Sequence, residues 1–248
     1  MTIHIGAILP LERAGMAVLE AASARGGGVG VKDVNKILAH VNKVPYSKCL
    51  IHDQLKKFLD RELVVDIDLN DYGDLRNAVC SCENQKTCCD KCWEVFIART
   101  AIPVIRYLFQ DFFGFKEVTW VYSGRRGIHV HVQDPRAMRM TADERRITIY
   151  ENLIMGMAGC NPEVRHHLLE TIYRPVYNTF IAPSRGAAES DDKIIEYLRP
   201  RLDDCFWRGD LGHQVKCPFT LHLVTGNVCR PLTEDFTPSK AIRADLIL

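Results

Sequence analysis

What the sequence does not contain narrows its class before any motif is read. No apolar run is long enough to span a bilayer, so no membrane association is expected. Neither sign of charge is in excess: 32 Lys and Arg stand against 31 Asp and Glu, a net charge near +1. No protein-wide basic field exists, and any nucleic-acid contact must come from local groups such as Arg125, Arg126, Arg145 and Arg146. The first residues lack a basic segment followed by an uninterrupted apolar core, so no secretory signal is expected. There is no internal repeat, and no low-complexity tract beyond Gly26-Gly27-Gly28-Val29-Gly30. That run is not followed by the Lys-Ser or Lys-Thr of a phosphate-binding loop, and it reads as a link.

What is present is an ordinary globular composition, 47% hydrophobic over 248 residues, enough for one sizeable domain with or without an appendage. Cysteine is abundant: ten in all, five of them between residues 80 and 92. Such crowding favours a metal site over a spread disulfide framework, and a reducing intracellular setting is expected.

Periodicity gives a coarse order of elements. Residues 2–9 read as a strand; residues 11–24, 31–44 and 52–59 read as helices. Residues 93–113 form the clearest amphipathic helix, with Trp93, Phe96, Ile97, Thr100, Ala101, Val104, Ile105, Leu108, Phe109 and Phe112 on one face. Pro103 is expected to kink or divide it, and Gly114 to close it. Residues 118–122 and 128–132 read as two strands of a hairpin. Residues 141–182 read as helical with loops: Thr141-Ala142-Asp143-Glu144 suits a helix start and Asn161-Pro162 a break; residues 184–190 read as a loop, with Ser190 a cap for a helix over 191–198. Residues 233–248 read as an incomplete tail.

Three stretches carry chemistry. In Glu62-Leu63-Val64-Val65-Asp66-Ile67-Asp68-Leu69, strand periodicity puts Asp66 and Asp68 on one face. Two carboxylates that close repel, and a Mg²⁺ or Mn²⁺ shared between them removes the conflict; a bare Asp-x-Asp is equally a solvated strand edge. In Ser123-Gly124-Arg125-Arg126-Gly127, glycines loosen a turn carrying two guanidinium groups suited to phosphate. Its backbone N–H groups are expected to face an anion, with His129 reaching the ligand from the following strand. In Cys80-Ser81-Cys82 and Cys89-Asp90-Lys91-Cys92, two cysteine pairs suit a tetrahedral Zn²⁺, with Cys88 as a spare or alternative ligand.

Taken together, these blocks resemble the small catalytic subunit of the eukaryotic and archaeal type of DNA primase, the eukaryotic branch more closely. The carriers are Val65-Asp66-Ile67-Asp68 with Asp71-Tyr72, the cysteine cluster ending in Cys92-Trp93, and Phe112-Phe113-Gly114-Phe115. Further on they are Trp120 to His129, Pro200-Arg201-Leu202-Asp203, and Lys216-Cys217-Pro218-Phe219-Thr220-Leu221-His222. The resemblance implies a mixed α/β primase-type core over 1–248, incomplete relative to the family, with a zinc knuckle at 80–92 and a reduced helical insertion at 141–198. It implies a metal-binding triad of Asp66, Asp68 and Asp203. Ser123, Arg125, Arg126, His129, His213, Lys216 and His222 match its nucleotide contacts, and Cys80, Cys82, Cys89 and Cys92 its zinc ligands. The implied activity is synthesis of short RNA primers on single-stranded DNA from ribonucleoside triphosphates. The implied partners are a large iron–sulfur subunit and the DNA polymerase α complex, in the nucleus. Two other readings stand beside it: a primase-polymerase extending with deoxynucleotides, and a truncated, non-catalytic DNA-binding or scaffold subunit. The family commonly carries an aspartate where Ile3-His4-Ile5-Gly6 has His4.

Overall fold

The computed structural model describes residues 4–5, 62–80, 88–147, 161–185, 189–202 and 215–243. The helices expected over 11–24, 31–44 and 52–59, and the residues Cys82, Asp203 and His213, lie outside the described residues.

The organising element is an antiparallel sheet of β2 (Leu63–Asp68), β4 (Gly127–Val132), β3 (Val118–Tyr122) and β6 (Arg230–Pro231), in that spatial order. The β3–β4 hairpin agrees with the sequence expectation, with β4 starting one residue earlier. The register pairs Leu63, Val65 and Ile67 with Val132, Val130 and Ile128, and these in turn with Val118, Trp120 and Tyr122. Directly paired residues share a face, so one face is an apolar layer. The other face carries Val64, Asp66 and Asp68 beside His131, His129 and Gly127. A smaller sheet, β1 (His4–Ile5) with β5 (Val215–Lys216), pairs His4 with Lys216. Val215 packs on Val64, which lays this second sheet over the carboxylate face.

Helix α1 (residues 90–112) covers the apolar face. Trp93, Phe96, Ile97, Thr100, Ala101, Val104, Ile105, Leu108 and Phe109 are buried, as the periodicity predicts. Phe112 is not: it is 44% exposed and leans on Phe113. Pro103 does not divide the helix. The turn before it is widened, with the Ile102 N–H reaching back to the Ile97 carbonyl, and the helical conformation runs on through Tyr107. A proline supplies no N–H of its own, and a wide turn at its N-terminal side absorbs the mismatch. Gly114, at φ +68, ends α1 in a conformation natural to glycine.

Beyond the sheet lie α2 (Pro135–Met138), α3 (Ala142–Arg145), α4 (residues 162–185) and α5 (Asp191–Leu198), and the chain leaves β2 directly into a 3-10 helix, Leu69–Ala78. Thr141 and Glu144 form the reciprocal cap that the sequence predicts for α3. Asn161-Pro162 is a helix start: the Asn161 side chain accepts from the Glu163 N–H and Pro162 takes the first helical position. Ser190 precedes α5 without capping it through its side chain. Val164, Leu168, Ile172, Ile195 and Leu198 join α1 and the sheet in one hydrophobic core.

Within the C-terminal stretch, Phe236 is buried against Trp93 and Tyr122, at ring-centroid distances of 5.3 and 4.8 Å. One expectation is corrected here. Arg145, a candidate nucleic-acid contact, is 3% exposed. Its guanidinium donates to the carbonyls of Glu62, Ala137, Met138 and Met140, tying the start of β2 to the α2–α3 connection. Removing it would strand buried carbonyls, each costing about 1–3 kcal/mol. Arg145→Met is therefore expected to lower unfolding stability by about 3 kcal/mol and to leave DNA affinity unchanged, read by urea titration and by anisotropy of a labelled oligonucleotide. The opposite pattern would restore Arg145 as a nucleic-acid contact.

Candidate active site and cysteine centre

The site is set by the register of β2 on β4. Asp66 lies opposite His129, and Asp68 opposite Gly127. A Cβ at residue 127 would collide with the Ile67 carbonyl oxygen, so only glycine lets the two strands approach this closely. Asp66 and Asp68 share the polar face, as strand alternation predicts, and both are half-buried. A His129 imidazole nitrogen, Nε2, lies 3.8 Å from an Asp66 carboxylate oxygen.

Asp68 is held from three directions. Its Oδ1 accepts from the Asn70 N–H at 2.8 Å and from Arg126 Nε at 2.9 Å, and its Oδ2 accepts from Arg126 Nη2 at 2.9 Å. The two Arg126 bonds form a bidentate pair, the strongest geometry available to a guanidinium and a carboxylate. No local pattern marks this pairing, because residues 68 and 126 meet only through the sheet register.

The turn of residues 123–127 is closed by its own backbone. Ser123 N–H donates to the Gly127 carbonyl, and Gly127 N–H donates to Ser123 Oγ. Those two N–H groups are spent inside the turn, which removes them from the backbone donors expected to face an anion. Residues 220–229 clamp the turn from the other side. Thr225 Oγ1 donates to the Gly124 carbonyl at 2.7 Å, and the Cys229 thiol donates to that of Ser123. A Cβ on Gly124 would stand 2.6 Å from the Cβ of His222. This clamp has no local sequence signature.

Lys216 and His222 thus come to the same place as Arg125, His129 and Asp68. Burial pulls His129 down to about 3, with the charges of His131, Lys216 and His222 adding to it. Burial also lowers His222 to about 4, helped by Lys216 and Arg125 and opposed by Asp68. Both imidazoles are neutral at pH 7. His129 Nδ1 and His222 Nδ1 are buried with no hydrogen-bond partner among the described residues. Alongside them, His131 Nδ1 meets the Glu62 carboxylate at 2.9 Å, and Gln133 donates to the same carboxylate. The hydrogen bond from His131 keeps Glu62 ionised below the usual carboxylate range, against the cost of burial. The sequence expectations assign neither His131 nor Glu62 a role.

Asp203 and His213 lie outside the described residues. The described chain before Asp203 reaches the start of the site segment: the Arg201 N–H donates to the hydroxyl of Tyr72, just beyond Asp68.

Behind the sheet, Cys80, Cys89 and Cys92 bring their sulfurs within 4.8 Å of one another. The Cys80 sulfur stands 2.9 Å from that of Cys92 and 3.5 Å from that of Cys89, too long for a disulfide. Corners of a tetrahedral thiolate site are about 3.8 Å apart, from a metal–sulfur length of about 2.3 Å. The Cys92 N–H points at the Cys89 sulfur, and Cys89 caps the start of α1. The three residues fit a metal-chelating knuckle. Cys88 turns its thiol to the Cys89 carbonyl and is not one of the three.

A family model described as DNA primase small subunit matches residues 65–234. The chain belongs to the DNA primase small-subunit family. Its similarity to the DNA primase small subunit of Caenorhabditis elegans is 41% identity, covering 77% of this chain and 65% of that protein. For the Schizosaccharomyces pombe protein the values are 39%, 73% and 55%, and for that of Saccharomyces cerevisiae 27%, 83% and 66%. The chain thus spans between 55% and 66% of the length of these primase subunits.

Two outcomes test the site's chemistry. A strong chelator is expected to release zinc and lower the melting temperature; a freshly purified chain holding no transition metal would remove the cysteine centre. Because His129 and His222 resist protonation only when folded, the unfolded chain takes up more protons below its ordinary histidine pKa of 6.5. Their contribution is full above pH 6.5 and is lost as pH falls toward 4, at up to about 1.4 kcal/mol per pH unit for each group. Denaturant titrations across that range, with His129→Gln as control, check this; a slope unchanged by the substitution would dismiss His129 as its source.

Proposed function

We propose that the chain synthesises short RNA primers on single-stranded DNA by metal-dependent nucleotidyl transfer from ribonucleoside triphosphates. The observation that carries the reading is the pairing of Asp66 and Asp68 on one strand face with Arg126, His129, Lys216 and His222 gathered around them. Asp66 and Asp68, with Asp203, would hold Mg²⁺ or Mn²⁺. Such ions supply activation of the attacking 3′-hydroxyl and charge neutralisation at the departing pyrophosphate.

The chain's own residues supply the rest. Arg125, Arg126 and Lys216 bring cationic donors to the triphosphate. His129 and His222, neutral, offer hydrogen bonds without adding charge. Ser123 holds the turn on which both arginines stand, and His213 is a further nucleotide contact. Cys80, Cys82, Cys89 and Cys92 would hold a structural Zn²⁺ that fastens the start of α1. The proposed partners are the large iron–sulfur subunit and the polymerase α complex, in the nucleus.

The decisive experiment is de novo synthesis on single-stranded DNA with ribo- or deoxynucleotides, with and without the large subunit. Wild type should give short ribonucleotide products. Asp66→Asn and Asp68→Asn should reduce them by on the order of a thousandfold while thermal melting stays near wild type. Products made only from deoxynucleotides would favour the primase-polymerase reading. Synthesis surviving both substitutions would refute the role of the carboxylates.

A further inference from the structure

The three most exposed large apolar side chains among the described residues all fall in positions 219–224. Leu223 is 80% exposed, Phe219 74% and Val224 73%. Isolated exposed apolar residues are ordinary, but three in one short hairpin form a patch. Phe219 also carries the only positive φ of a non-glycine residue among those described, +67°. A bulky residue held there is strained, and strain that persists commonly marks a functional surface.

The hairpin is not a free arm. Residues 220–222 pair with 227–229 through Thr220–Cys229, Leu221–Val228 and His222–Asn227 contacts. Its tip is fastened to the arginine turn by Thr225 on the Gly124 carbonyl and by His222 against Gly124. Leu223 and Val224 lie between those two fastening residues, so they border the arginine turn. Lys216 leads into the hairpin from β5.

We propose that this hairpin is a single-strand platform. The bases of a single-stranded nucleic acid lie on Phe219, Leu223 and Val224, beside the cations of the arginine turn and Lys216. Apolar and aromatic contacts beside fixed cations are the chemistry that holds such strands without reading their sequence. The assignment rests on the primer-synthesis reading for the kind of polymer, and the test separates the two.

The full chain is titrated with a labelled oligothymidylate at several salt concentrations. Phe219→Ala, and Leu223→Ser with Val224→Ser, should each weaken binding about tenfold and leave the salt dependence unchanged. Arg125→Ala should reduce the salt dependence itself. Phe219→Gly guards against misfolding, because it relieves the backbone strain while removing the ring, and should weaken binding equally; Phe219→Trp should restore it. Wild-type affinity in the hairpin variants overturns the platform and leaves primer synthesis untouched. Variants that keep DNA affinity but lose association with the large primase subunit overturn it as well, making the patch a protein interface. Weakened binding in the variants of a chain that makes no primer supports the platform and counts against the synthesis reading.

Discussion

The β2–β4 register is the constraint on which the rest depends. It is one ladder, yet it settles both sides of the molecule. On one side it aligns Leu63, Val65 and Ile67 with the apolar residues of β4 and β3, building the surface that α1 covers. On the other it sets Asp66 against His129 and brings the arginine turn over Asp68. A slip by one residue would send the carboxylates into the core and the valines to the ligand face. The missing Cβ of Gly127 lets the ladder run to its end at that point.

Helix α1 links this sheet to the cysteine centre. Cys89 caps its first turn, Cys92 lies within that turn, and Trp93 follows directly, packing edge-on against Tyr122 of β3 and against Phe236. An ion held by the cysteines would therefore fix the angle at which α1 enters the core. It would also steady the end of β3 from which the arginine turn departs. The cysteine cluster and the carboxylate face are on opposite sides of the sheet, joined by packing rather than by contact.

Much of this was legible in the sequence. The alternation in residues 63–69, the β3–β4 hairpin, the buried stripe of α1 and the Thr141–Glu144 cap are local patterns, and local patterns follow from geometry that repeats every two or 3.6 residues. The failures share a different cause. Phe112 fits the helical stripe, but the core ends one turn before it. Arg145 looks like a surface cation, yet the distant Glu62 carbonyl and three carbonyls of the preceding turn converge on it. Arg126 on Asp68, Thr225 on Gly124 and Phe236 on Trp93 are contacts between residues far apart in the chain, and no window of sequence contains both partners. The resemblance to the primase small subunit named the family and the candidate residues. It did not disclose which of them already hold one another.

Arg126 neutralises Asp68 through two hydrogen bonds, so the same guanidinium is sought by a carboxylate and by any phosphate arriving at the turn. A cation that settles on Asp68 competes with Arg126, and a triphosphate that draws Arg126 away exposes the carboxylate. If the site holds both as proposed, the two binding equilibria are linked through one side chain, and linkage is reciprocal: whatever the nucleotide does for the affinity of the ion, the ion must do for that of the nucleotide. Metal and nucleotide taken up together would satisfy all three groups, whereas either taken up alone would leave a charge to be compensated.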